Sequence, residues 1–144
     1  MSTVQYRSQT IEDMHVGQEA ARSNLVTELT IVAFADVSGD KNPVHLDATY
    51  AAGTHFKERI AHGMLSAGFI SAVIGMDLPG PGSIYVSQTL NFKAPVKIGD
   101  TVISTVKILE IMPKRRVRIS TVCAVNGRVV VDGEAVMIVP ARAA

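Results

Sequence analysis

Apolar positions in the second half of the chain alternate with polar ones. From Arg115 to Val125, Val117, Ile119, Thr121, Cys123 and Val125 share one face, while Arg116, Arg118 and Ser120 share the other. That is the period of a strand with one side in a core. Asn126-Gly127 follows, the pair that two-residue hairpin turns favour, and Arg128–Val139 reads as the returning strand. Upstream, Thr101–Glu110 is rich in Val, Ile and Thr, as strands are. Ser83–Phe92 reads as a further strand, set off by Gly80, Pro81 and Gly82 before it and by Ala94-Pro95 and Gly99-Asp100 after it. The first half reads differently. Leu25–Leu29 predicts a strand. Thr30 is expected to cap a helix that begins IVAFADVSG and stops at Gly39, a residue suited to a helix C-terminus. The segment 38–47, SGDKNPVHLD, is turn-rich, and Pro43 holds Asn42 extended. A loop is expected there, with Asp47 capping a short helix through Tyr50–Ala52.

Residues 63–76, GMLSAGFISAVIGM, carry no polar stripe; only Ser66 and Ser71 interrupt the apolar run. A helix that is apolar all round is expected to be buried all round. In a chain of 144 residues, a curved sheet is the element able to surround it. The fold class predicted is therefore α+β: one domain over residues 1–144, a long helix wrapped by a mostly antiparallel sheet.

Composition adds a partner to this picture. Hydrophobic residues make up 47% of the chain and charged ones 19%, against a usual charged share of about 25%. A small chain has little surface over which to spread that excess, so part of it is expected to be covered in a homodimer or larger assembly. Fourteen basic and thirteen acidic residues leave a net charge of +1, which argues against a nucleic-acid partner. Cys123 stands alone, so no intramolecular disulfide and no cysteine metal site can form. The opening MSTVQYRSQT lacks the apolar core of a signal peptide. The 14-residue apolar run is shorter than the ~20 residues a membrane span needs. A soluble cytoplasmic protein with no membrane partner is expected.

Reactive side chains concentrate in one stretch: Asp40, Asn42, His45, Asp47, His55 and His62. A loop bent at Asn42-Pro43 can bring the Asp40 carboxylate and the His45 imidazole together. Such a pair can activate a water and move a proton, since an imidazole titrates near neutrality and burial raises a carboxyl's affinity for protons. A structural reading stands beside it, in which Asp40 shapes a turn and His45 is a satisfied polar residue. His62-Gly63 opens the apolar helix, whose free N–H groups and positive dipole end suit an oxygen that becomes negative. Gly63 lets a ligand approach the backbone; the plain alternative is an ordinary helix start. Cys123, alternating with Val and Ile, reads as a core thiol, and His15 and His55 as surface residues. Lys114, Arg115, Arg116 and Arg118 form a basic run that could meet phosphates but reads as a charged strand edge. No nucleophile elbow, zinc-protease, P-loop or dinucleotide fingerprint is present.

Three segments carry a resemblance. FADVSGDKNPVHLD (34–47), IAHGML (60–65) and GSIYVSQTLNFKAPVKIGD (82–100) resemble the MaoC-like, (R)-specific enoyl-CoA hydratases, and the strands from 101 to 139, with GEAVM at 133–137, fit the rest of that domain. The resemblance implies a hot-dog fold and hydration of trans-2-enoyl-CoA to (R)-3-hydroxyacyl-CoA, with no metal and no redox cofactor. It places the water-activating pair on Asp40 and His45 and the oxyanion donor on the Gly63 N–H. It also places a helix serine near the pair on Ser71. Ser71 and Asn42 are expected to bind substrate, and Asn42 also to shape the loop through side-chain hydrogen bonds. Ile74, three residues after Ser71, shares its helix face and either lines the acyl tunnel, restricting it to short chains, or packs against the sheet. The same motifs suit a dehydratase acting on acyl-carrier-protein substrates. A non-catalytic acyl-thioester-binding subunit would be expected to lack the Asp/His pair, and a hot-dog thioesterase to lack the SGDKNPVHLD motif.

Overall fold

The computed structural model describes residues 3–6 and 9–142; the opening decapeptide, read for a signal peptide, lies partly outside the described residues. Strands β4 (Thr101–Met112), β5 (Arg116–Val125) and β6 (Arg128–Ile138) form consecutive antiparallel hairpins. Their alternation is the one the sequence shows: Val117, Ile119, Thr121 and Cys123 are buried while their neighbours are partly exposed. Asn126 and Gly127 both adopt positive φ, 49° and 79°, as the tight hairpin turn requires. β1 (Glu19–Leu25) flanks β4, and β2 (Ile84–Gln88) flanks β6, so the order is β1-β4-β5-β6-β2 with all pairings antiparallel. β3 (Asn91–Phe92) also pairs with β6.

Among the described residues lie four α-helices, α1 (Glu28–Ser38), α2 (Pro43–Leu46), α3 (Ala48–Ala52) and α4 (Gly63–Met76), and a short 3-10 turn at Ile11–Asp13. α4 lies against the sheet, where Leu65, Ile70, Val73 and Ile74 pack with Val102, Val106, Ile108, Val117, Ile119, Val131 and Met137 in one core. This is the sheet-around-a-helix arrangement of a hot-dog fold.

Several expectations need correction. The first strand is Glu19–Leu25, not Leu25–Leu29. EAARSNL contains no β-branched residue; pairing with the Val- and Ile-rich β4 imposes the strand, a tertiary override of local preference. The cap of α1 is Thr27, whose side chain accepts from the Thr30 N–H at 3.1 Å. Gly39 does end α1, at φ 80°. The expected loop 38–47 contains one helical turn, α2, because Asn42 caps it and Pro43 occupies its first position. Asp47 caps α3 as expected. The strand read as Ser83–Phe92 is interrupted at Thr89-Leu90. The basic run sits on the β4–β5 hairpin between interior strands, not on a sheet edge, and Arg118 is paired with Glu110 and Glu134.

α4 itself departs from the expected burial. Met64, Gly68, Ser71 and Gly75 form an exposed stripe at positions i, i+4, i+7 and i+11, and Met64 and Met76 are each 54% exposed. The sheet of one chain covers only one side of an all-apolar helix.

Candidate functional site

The loop after α1 is built by local hydrogen bonds. Ser38 Oγ donates to the Phe34 carbonyl at 2.6 Å and accepts from the Asp40 N–H at 3.1 Å. The Asp40 carboxylate accepts from the Asn42 N–H at 3.2 Å. The Asn42 side chain in turn accepts from the Val44 N–H at 3.2 Å and opens α2. Asn42 therefore shapes the loop. α2 carries His45 inward to 9% exposure. The His45 Nδ1 lies 2.7 Å from the Ile60 carbonyl. A carbonyl can only accept, so Nδ1 carries a proton, and in the neutral ring the lone pair then lies on Nε2.

His62 joins this group from the start of α4. Its ring stacks on His45 with centroids 3.8 Å apart and planes at 27°, and tilts against Phe34 at 4.7 Å. Its Nε2 donates to the Asp40 carbonyl at 2.8 Å. Asp40, His45 and His62 each offer a polar atom within 4.8 Å of the others. Asp40 is exposed, so the burial expected of it is not found in this chain. The three residues do not suit a metal ion. Ring lone pairs lie in the ring planes, and two nearly stacked imidazoles cannot aim them at one ion about 2.0–2.1 Å from both. His45 Nδ1 and His62 Nε2 are, moreover, already engaged with carbonyls.

Gly63 follows His62 as the first residue of α4, and its N–H has no acceptor among the described residues. A cleft of about 550 Å³ opens there, lined by His62 and Gly63 together with Phe56, Ile60, Met64, Phe92 and other apolar groups. Its size falls in the usual range for a small-molecule site. Phe92 closes over Gly63: a Cβ at that position would lie 2.8 Å from two carbons of the ring. His62 thus links the cleft to the Asp40–His45 pair.

The remaining sequence candidates fall elsewhere. Ser71 is exposed on the outer stripe of α4, close to the Tyr85 phenol of β2. Burial pushes that phenol up, and the Ser71 hydroxyl pulls it back. Ile74 is fully buried between α4 and the sheet and is not among the residues lining the cleft. His15 and His55 are exposed. Cys123 is buried, within 3.3 Å of the Ser104 hydroxyl and 3.6 Å of the Ser66 carbonyl, and burial pushes its thiol up. Sequence alone puts His62 among the reactive side chains at a helix start, and gives Phe92 no part in the site. The signal for the first was present in the His-Gly pair, but stacking on a residue 17 positions earlier is visible only in three dimensions.

Fold and site together define a hot-dog protein with an Asp–His pair beside the N-terminus of its central helix. The chain belongs to the MaoC-like family: the sequence pattern of the MaoC like domain matches residues 8–132. It is 54% identical over 132 residues to an (R)-specific enoyl-CoA hydratase of Rhodospirillum rubrum, covering 91% of this chain and 92% of that one. It is 48% identical to a 3-hydroxybutyryl-CoA dehydratase of Methylorubrum extorquens, with 91% and 84% covered. Among solved structures, the unliganded R-hydratase PhaJ1 from Pseudomonas aeruginosa superposes with a TM-score of 0.90 at 51% identity, covering 94% of this chain and 88% of that one.

Proposed function

We propose that this protein is an enoyl-CoA hydratase that adds water to short-chain trans-2-enoyl-CoA and yields (R)-3-hydroxyacyl-CoA. The observation that carries the proposal is the convergence of Asp40 and His45 beside the unpaired Gly63 N–H at the start of α4. The water sits between the Asp40 carboxylate and His45 Nε2, which accept its proton as its oxygen bonds to C3. The C2–C3 π electrons move toward the thioester, and the carbonyl oxygen becomes an enolate oxyanion. The Gly63 N–H and the positive end of α4 stabilise that charge, an effect of roughly 3–4 kcal/mol for one well-placed donor. The proton returns to C2 and the carbonyl re-forms. The apolar cleft beside Gly63 holds the thioester substrate.

The test is the loss of enoyl absorbance from crotonyl-CoA, with the product's configuration determined, in wild type and in Asp40→Asn and His45→Gln. Each substitution keeps shape and removes proton transfer, so turnover falls by about 10²–10⁴-fold while the fold persists. Near-wild-type turnover in either variant refutes that residue's role. Crotonyl-acyl-carrier protein, assayed in parallel, tells which thiol is used.

We further infer a homodimer. The outer stripe of α4 and the edge strand β2, with Ile84, Tyr85 and Val86 at 59%, 40% and 43% exposure, present apolar surface and unpaired strand edge together. Two copies pairing through β2 cover both. Two chains of 15.4 kDa predict about 31 kDa by light scattering; about 15 kDa refutes the pairing. No helix among the described residues is long and apolar enough to cross a membrane. The single unpaired, buried Cys123 suits the reducing cytoplasm, where we place the enzyme.

A further inference from the structure

Residues 39–42 are held mostly by themselves. Among the described residues, apart from one bond, every hydrogen bond they make joins positions no more than four apart, including Asp40 N–H to Ser38 Oγ, Asn42 N–H to the Asp40 carboxylate and His45 N–H to the Asn42 carbonyl. The exception spans 22 residues: His62 Nε2–H to the Asp40 carbonyl, 2.8 Å. A carboxylate on an exposed loop that pivots at Gly39 has its place in the site set through that bond. The same ring supports the face of His45 at 3.8 Å, and the next residue along the chain supplies the Gly63 N–H.

We propose that His62 is the positioning residue of the site, tying the Asp40 loop, the His45 ring and the Gly63 amide into one geometry. This rests on the reading of Asp40 and His45 as the water-activating pair. A second feature of His62 separates this role from packing. Its Nδ1 is buried and has no hydrogen-bond partner among the described residues. Native proteins rarely keep such an atom, and a phenylalanine ring would fill the same volume against Phe34 and His45 without it. Packing alone therefore gives no reason for histidine here. The Nε2–H bond to the Asp40 carbonyl gives one.

The test compares wild type, His62→Phe and His62→Gln by kcat and KM on crotonyl-CoA, with thermal melts of each. Phe keeps the ring and removes the donor. Gln loses the ring but carries an N–H donor at about the reach of Nε2. Misplacing a reacting group by about 1 Å costs on the order of a hundredfold in rate. His62→Phe should therefore lose about 10- to 100-fold in kcat, with KM changed less than about threefold and the melting temperature held. His62→Gln should recover at least about threefold of that loss. A Phe variant within about twofold of wild-type kcat overturns the proposal, as does a Gln variant no better than Phe. Should Phe fail to fold, Gln alone decides: kcat within about tenfold of wild type supports the tie, and a larger loss overturns it. Asp40→Asn is run beside them. If it keeps its turnover, the water-activating reading fails first; if it is inactive while His62→Phe is normal, only the positioning role falls.

Discussion

At Gly133 in β6 the structure predicts a large effect from a single methyl group. The backbone of Thr89 passes directly over it at the break between β2 and β3. A Cβ at Gly133 would lie 1.9 Å from the Thr89 carbonyl oxygen, 2.7 Å from its carbon and 3.2 Å from the Leu90 nitrogen. A carbon–oxygen contact needs about 3.3 Å, so Gly133→Ala forces the two backbones apart by about 1.4 Å. Neither can give by a side-chain rotation. That shift breaks the Thr89 N–H bond to the Glu134 carbonyl at 2.8 Å and the Glu134 N–H bond to Thr89 Oγ1 at 3.0 Å. Two such bonds contribute about 1 kcal/mol each, and overpacking adds about 1–3 kcal/mol. The expected loss is about 3–5 kcal/mol, out of roughly 7–20 kcal/mol for a chain of this length. In melting temperature that is a drop of about 10–15 °C. The chain has no tryptophan, so the melt is followed by far-UV circular dichroism, at matched protein concentration because assembly shifts the midpoint. The same movement carries Phe92, three residues after Thr89, off Gly63. Activity measured well below the melt should therefore fall by more than the folded fraction does. A variant that melts within about 3 °C of wild type and keeps full activity would show that Thr89 does not press on Gly133.

Two further outcomes are expected. Ile74→Ala should cost about 2–5 kcal/mol as a core cavity and leave the kcat/KM ratio of crotonyl-CoA to octenoyl-CoA unchanged; a shift toward octenoyl-CoA would put Ile74 in an acyl tunnel. At the end of α4, the Arg22 guanidinium beside Asp77, at 2.6 and 3.0 Å, holds that carboxyl below its usual range. A carboxyl lowered in the folded state adds stability above its ordinary value, near 3.9, and loses it as pH falls through the lower folded value. Asp77→Asn should thus melt slightly below wild type at neutral pH, with the gap closing in strong acid; a gap independent of pH would mean the pair contributes nothing through charge.

Local pattern determined a good deal of this protein. The β5–β6 hairpin, the extent of α4, the stop at Gly39 and the Asp47 cap all follow from residues within a few positions of one another, because alternation, turn chemistry and capping act over that range. The gathering of Asp, Asn and His in the turn-rich stretch 38–47 is legible for the same reason. Tertiary structure decided what those local rules do not reach. It made a strand of EAARSNL, which has no strand preference until it lies beside β4. It left one side of α4 uncovered, since the sheet of one chain has too little area to enclose an apolar helix. It sent Ile74 into the core and Ser71 to the surface, although three positions on a helix put them on neighbouring rows, because burial depends on the angle the helix presents to the sheet. It also stacked His62 on His45 and closed Phe92 over Gly63. Contacts between residues 17 and 29 positions apart are fixed by how the sheet curves around α4, and no spacing along the chain encodes that curvature.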